Sequence, residues 1–203
     1  MRPRRTRRPR DEAERRAFIE SYRYPPGLRE KIDQEYDPAL GEERLDTVLE
    51  GLRAWLLACL YGGGKTLGMP SQAVDVAWHE FILFTREYHE FCERAFGYYL
   101  HHTPEAALEE PPARSFRRTV AVVDRHQAHL AIAQMPFLFA VDSTLGLDEG
   151  IVWSLEEIEV LRSGGAVVGD PASGFFLAGG DGGAASCGGG SCGGGSCGGG
   201  GGG

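Results

Sequence analysis

The spacing of apolar residues in EERLDTVLEGLRAWLLACLY, residues 42–61, constrains the fold more than any other feature of the chain. Leu45, Val48, Leu49, Leu52, Trp55, Leu56, Cys59 and Leu60 recur every three or four positions, so a helix here carries an apolar stripe along its whole length. A stripe of that length must be covered by other elements. Nearly every other periodic segment has the same helical spacing, and none alternates as a strand does. The expected fold class is all-α: a single helical domain of two or three long packed helices plus short helices, with disordered termini.

Helix punctuation divides the chain further. The pattern predicts a short charged helix over 11–24, ended by Pro25, Pro26 and Gly27, and another over 28–36, stopped by Pro38. Gly62, Gly63 and Gly64 close the 42–61 helix. Ser71, after Pro70, is the expected N-cap of a helix running to about Leu100. Thr103 and Pro104 open a turn or short helix over 104–110. A further helix is expected over 114–133, ended by Pro136, and FLFAVD (137–142) fits either element type. LGLDEGIVW (145–153) reads as loop. Ser154 and Glu157 form a capping box for SLEEIEVLRSG, which Gly164 and Gly165 terminate.

The ends are different in kind. Residues 1–11 form an Arg-rich arm, residues 12–178 the expected helical domain, and residues 179–203 a Gly/Ser/Cys tail with nothing to bury against the entropy cost of ordering. The formal net charge is −8, and the six arginines of the arm leave −14 on the rest. Contact with nucleic acid or anionic lipid is therefore expected only through the arm, and any protein partner is unidentified. No apolar core follows the arm as in a secretory signal, and no apolar run approaches the ~18 residues of a transmembrane helix. A cytoplasmic location is the expectation.

Few segments offer chemistry. GGGKT at 62–66 lacks the first glycine of a P-loop, Cys59 standing in its place, and follows a helix instead of a strand. It reads as a helix stop. AWHEFILFTREYHEFCERAFGYYLHH, residues 77–102, holds four of the six histidines. On one helix, Trp78, Tyr88 and Cys92 share a core face, whereas Asp75 and His79, four residues apart, meet on another edge. Asp75 would then orient the His79 ring and leave its other nitrogen for a metal or a proton. His79 and Cys92 lie about 20 Å apart along a straight helix, too far to share an ion. His101 and His102 would end that helix, where a protonated imidazole also complements the dipole. A His89/His126/His129 cluster is conceivable if the following helix is antiparallel.

The tail repeats SCGGG three times, with Cys187, Cys192 and Cys197 spaced unlike a zinc C-x2-C motif. No cofactor is expected as a rule. Where an ion binds, Zn or Cu is the candidate, with His79, His101, His102, Cys187, Cys192 and Cys197 as the candidate ligands.

Val74, Asp75, Trp78, His79, Leu83, Tyr88, Cys92, Gly97, His101 and His102 form a spaced pattern that resembles the helical module of the glycine-rich domain-containing proteins of plants and bacteria. MPFLFAVDSTLGL and the Gly-rich end agree with it, so the resemblance spans roughly 40–203. It implies a helical domain and no particular reaction. No Ser/His/Asp or Cys/His nucleophile arrangement is visible. The leading expectation is a non-enzymatic protein-interaction module carrying a Gly/Cys tail. The alternatives are a metal-binding or thiol-redox protein and a substrate whose Ser/Cys tail is modified.

Overall fold

The computed structural model describes residues 11–35, 40–104, 111–147, 150–165 and 176–179. Residues 1–10 of the arm, residues 105–110 and residues 180–203 of the tail, with Cys187, Cys192 and Cys197, lie outside the described residues.

The periodicity of residues 42–61 becomes the central helix. In chain order the described elements are α1 (Glu12–Ser21), α2 (Leu28–Glu35), α3 (Gly41–Gly62), β1 (Leu67–Gly68), α4 (Gln72–Leu83) and α5 (Thr85–Ala95). There follow β2 (His101–Pro104), α6 (Pro112–His126), a 3-10 turn (Ala128–Leu130), α7 (Phe137–Leu145), α8 (Leu155–Arg162) and β3 (Phe176–Gly179). The helical fold class holds. Three short strands accompany it, β3 pairing antiparallel with both β1 and β2. Strands of two and four residues are too short to imprint an alternating pattern.

α3 packs against α1, α4, α6 and α7, so its apolar stripe is covered on several sides. Val48, Leu52, Trp55 and Leu56 are fully buried. Gly51 lets the helices approach closely: a Cβ there would sit 2.6 Å from Val74 Cγ2 and 3.3 Å from Val141 Cγ2. Gly63, left-handed at φ 59°, stops α3, and the GGGKT segment is that stop.

Three polar side chains tie the elements together. Arg53 on α3 donates to the carbonyls of Ile19 (2.6 Å) and Tyr22 (3.1 Å) at the end of α1. Trp153 Nε1 donates to Pro70 O at 2.8 Å. Asp142, on α7, seats the N-terminus of α4. Its Oδ1 accepts from Ser71 Oγ (2.6 Å) and Ala73 N (3.1 Å), and its Oδ2 from Gln72 N (2.7 Å) and Ile151 N (2.8 Å). Ser71 in turn caps α4 by accepting from Val74 N.

The long helix expected from Ser71 to about Leu100 is instead two helices and a strand. The chain kinks at Phe84 (φ −77°, ψ 61°), and no Pro or Gly marks the place. The kink lets α4 pack on α2, α3 and α7 while α5 packs on α1. α5 then ends at Gly97, at φ +84°, whose N–H donates to Cys92 O. The helix expected over 114–133 ends earlier, at His126, and continues as the 3-10 turn. FLFAVD is helical, and the Ser154–Glu157 capping box forms.

Candidate metal centre

The turn at Gly97 ends α5, and β2 then brings His102 to α4. His101 and His102 therefore do not end a helix; they sit on β2, and His102 returns to Asp75 across 27 residues. The axial distance along one straight helix does not apply to this pair.

Asp75 is at the hub, 5% exposed. Its Oδ1 lies 2.8 Å from His102 Nε2, a hydrogen bond, and its Oδ2 lies 3.4 Å from His79 Nδ1. The His79 and His102 rings face each other at 4.0 Å between centroids, tilted by 35°. His102 is buried, with 8% of its side chain exposed, whereas His79 leaves 44% to solvent. The cluster is thus closed on the core side and open on the His79 side.

Trp78 forms the inner wall, its ring 4.5 Å from that of His102. Trp78 Nε1 donates to Tyr88 Oη (3.0 Å), and Tyr88 Oη donates to Leu100 O (2.6 Å). Trp78, Tyr88 and Cys92 are all fully buried, as a shared core face requires.

Local electrostatics favour a neutral His79. Partial burial lowers its pKa, the neighbouring His102 lowers it further, and the Asp75 carboxylate opposes both. A neutral imidazole is the form that ligates a metal.

One ligand atom from each of Asp75, His79 and His102 lies within 4.8 Å of the others, and this is the sole such grouping of His, Cys, Asp and Glu among the described residues. Ligand bonds of about 2.0–2.2 Å would bring the donors to roughly 3–3.5 Å of one another. Small rotations, above all of half-exposed His79, achieve that. Two imidazoles and a carboxylate are a donor set suited to a borderline or hard divalent ion such as Zn(II), Fe(II) or Mn(II), and they leave coordination positions for water.

The other candidates fall elsewhere. His101 is exposed, its ring 4.8 Å from that of Tyr99. The His89/His126/His129 cluster does not form: His89 faces Glu93 at 3.5 Å, and His126 stacks on Tyr61 at 4.0 Å. Burial pushes the Cys92 thiol up to about 11 and raises that of Cys59 well above the ordinary range, so neither is a thiolate near neutral pH. His102 was within reach of sequence reasoning as a ligand but not as a partner of Asp75. Gly97 was the available signal, since a glycine there ends α5 before the two histidines.

A family model described as UCP032817-like matches residues 14–171. No curated protein matches the chain, and neither does any solved structure. The family match overturns the resemblance to the glycine-rich domain-containing proteins. Trp78, Tyr88 and Cys92, which carried much of that resemblance, are core residues whose spacing packing alone demands. The matched interval also stops short of the Gly-rich tail. Among the described residues, no helix is long and apolar enough to cross a membrane.

Proposed function

This chain belongs to the UCP032817-like family, and we propose that it is a metal-binding helical domain in which Asp75, His79 and His102 hold one divalent ion. The observation that carries this reading is the convergence of the three side chains, from a helix and a strand, to within 4.8 Å around one buried carboxylate. A buried Asp shared by two imidazoles needs a positive charge or donated protons to offset its desolvation. An ion supplies that charge and competes with protons for the imidazole nitrogens. Binding should therefore weaken in acid.

The test uses the full chain purified without a His-tag and titrated with Zn(II). One ion per chain is expected, with stabilisation of about 2.7 kcal/mol at a hundred times the Kd. His102→Ala and Asp75→Asn should weaken binding sharply, and His101→Ala should leave it intact. No uptake, and no change in melting temperature with Zn(II), would sink the reading.

The interaction-module expectation has weaker support. Leu83 and Val152 are highly exposed, but isolated apolar side chains of that kind are ordinary on protein surfaces. The tail-based alternatives concern residues outside those described.

A further inference from the structure

We propose that Tyr88 is a positioning residue of the Asp75–His79–His102 centre, holding His102 in place through Trp78 and the Leu100 carbonyl. This rests on the metal-binding reading above. The Tyr88 hydroxyl bonds to two structures that bear on His102. It accepts from the Trp78 indole at 3.0 Å, and Trp78 packs its ring 4.5 Å from that of His102. It donates to the carbonyl of Leu100 at 2.6 Å, two residues before His102, where the chain enters β2. One hydroxyl thus fixes both the wall against which the imidazole lies and the backbone from which it projects.

The arrangement is fully committed. Tyr88 is wholly buried, and burial pushes its phenol well above the ordinary range, so the group remains an O–H that can donate. α5 supplies the tyrosine, α4 the tryptophan and β2 the histidine, so the hydroxyl links three elements across the break at Phe84 and the turn at Gly97. Loss of the hydroxyl leaves a buried indole N–H and a backbone carbonyl without this partner. The His102 end of the site then keeps its pairing with β3 but loses the tie to α5 and the fixed wall of Trp78, whereas Asp75 and His79 stay on α4, held by Asp142. Outer groups that orient ligands in this way typically account for about 10–100-fold in metal affinity.

The test uses the full chain and Co(II) as a probe, because its visible spectrum reports ligand geometry. Tyr88→Phe should fold, melt lower than the parent and bind Co(II) at least ~10-fold more weakly with an altered spectrum, at a temperature where the variant is fully folded. A purely structural role would lower the melting temperature but leave the Co(II) Kd and spectrum unchanged, and that result overturns the proposal. A double-mutant cycle with His102→Ala separates local from general effects. With His102 absent, Tyr88→Phe should change the residual affinity little, and an equal loss in both backgrounds would also overturn it. Should Tyr88→Phe not fold, Trp78→Phe severs one side of the link and keeps a ring beside His102. Unaltered Co(II) binding there would count against the proposal. Failure of the parent protein to bind Co(II) would instead sink the metal-binding reading itself.

Discussion

Replacing Asp142 by asparagine should be among the most damaging isosteric changes available in this protein. The carboxylate is 1% exposed and accepts four hydrogen bonds, two on each oxygen. An amide keeps one accepting oxygen and presents an NH2 where the other stood. If that NH2 takes the Oδ2 position, it faces the N–H groups of Gln72 and Ile151; if it takes Oδ1, it faces Ala73 N–H and the Ser71 hydroxyl, which can turn to accept from it. Hydrogen bonds to a charged group contribute about 1.5–3 kcal/mol each. The second orientation loses the Ala73 bond, about 1.5–3 kcal/mol, and turns the other three from charged to neutral at about 1 kcal/mol each, and loss of a negative charge at the N-terminus of α4 adds about 0.3–1 kcal/mol. Relaxation offsets part of this, leaving about 4 kcal/mol. At about 2–4 °C per kcal/mol for a domain of this size, the melting temperature should fall by ~8–16 °C. Thermal and urea denaturation of both proteins provide the measurement, with the urea m-value unchanged. A destabilisation below about 1 kcal/mol would refute the argument that this carboxylate is the seat of α4. Ser71→Ala, which removes one of the four donors and the cap on Val74 N, should cost less, about 1–2 kcal/mol.

Two other outcomes follow from the titratable groups. The pKa of His79 is lower in the folded protein than its ordinary value, so the unfolded chain binds more protons between the folded value and about 6.5. Stability of the metal-free protein should accordingly rise with pH through that window, and His79→Gln should flatten the rise. Urea midpoints from pH 5 to 7 that are as steep in the variant as in the parent would contradict this. Cys59 and Cys92 should resist a thiol reagent at pH 8 in the native state and react only on unfolding. Mass spectrometry of the labelled protein tests this, and native labelling of either at a free-thiol rate would show that burial does not protect it.

Much of the architecture was legible because its signals are local. The α3 stripe, the Ser71 cap, the Ser154–Glu157 capping box and the glycine stop at 62–64 each depend on residues within one or two turns of one another. The Asp75–His79 approach is likewise an i, i+4 relation, and the buried face of Trp78, Tyr88 and Cys92 follows from helical angles. The break at Phe84 had no such signal. It arises because α4 and α5 satisfy different partners, and no residue type at the break requires it. The extent of the helix expected after residue 114 failed for a related reason, since apolar residues continue past His126 while the backbone does not.

What the sequence determined by itself was a helical domain with a core face along residues 77–96 and a carboxylate–imidazole pair on α4. Only the tertiary structure decided that His102, and not His101, joins that pair. Alternate residues of a strand point to opposite sides, so the path of β2 presents one of two adjacent histidines to Asp75 and leaves the other exposed beside Tyr99. That choice depends on where the chain leaves the Gly97 turn and on the contact that Tyr88 makes with Leu100. Both are relations between distant segments, and spacing along the chain does not encode them.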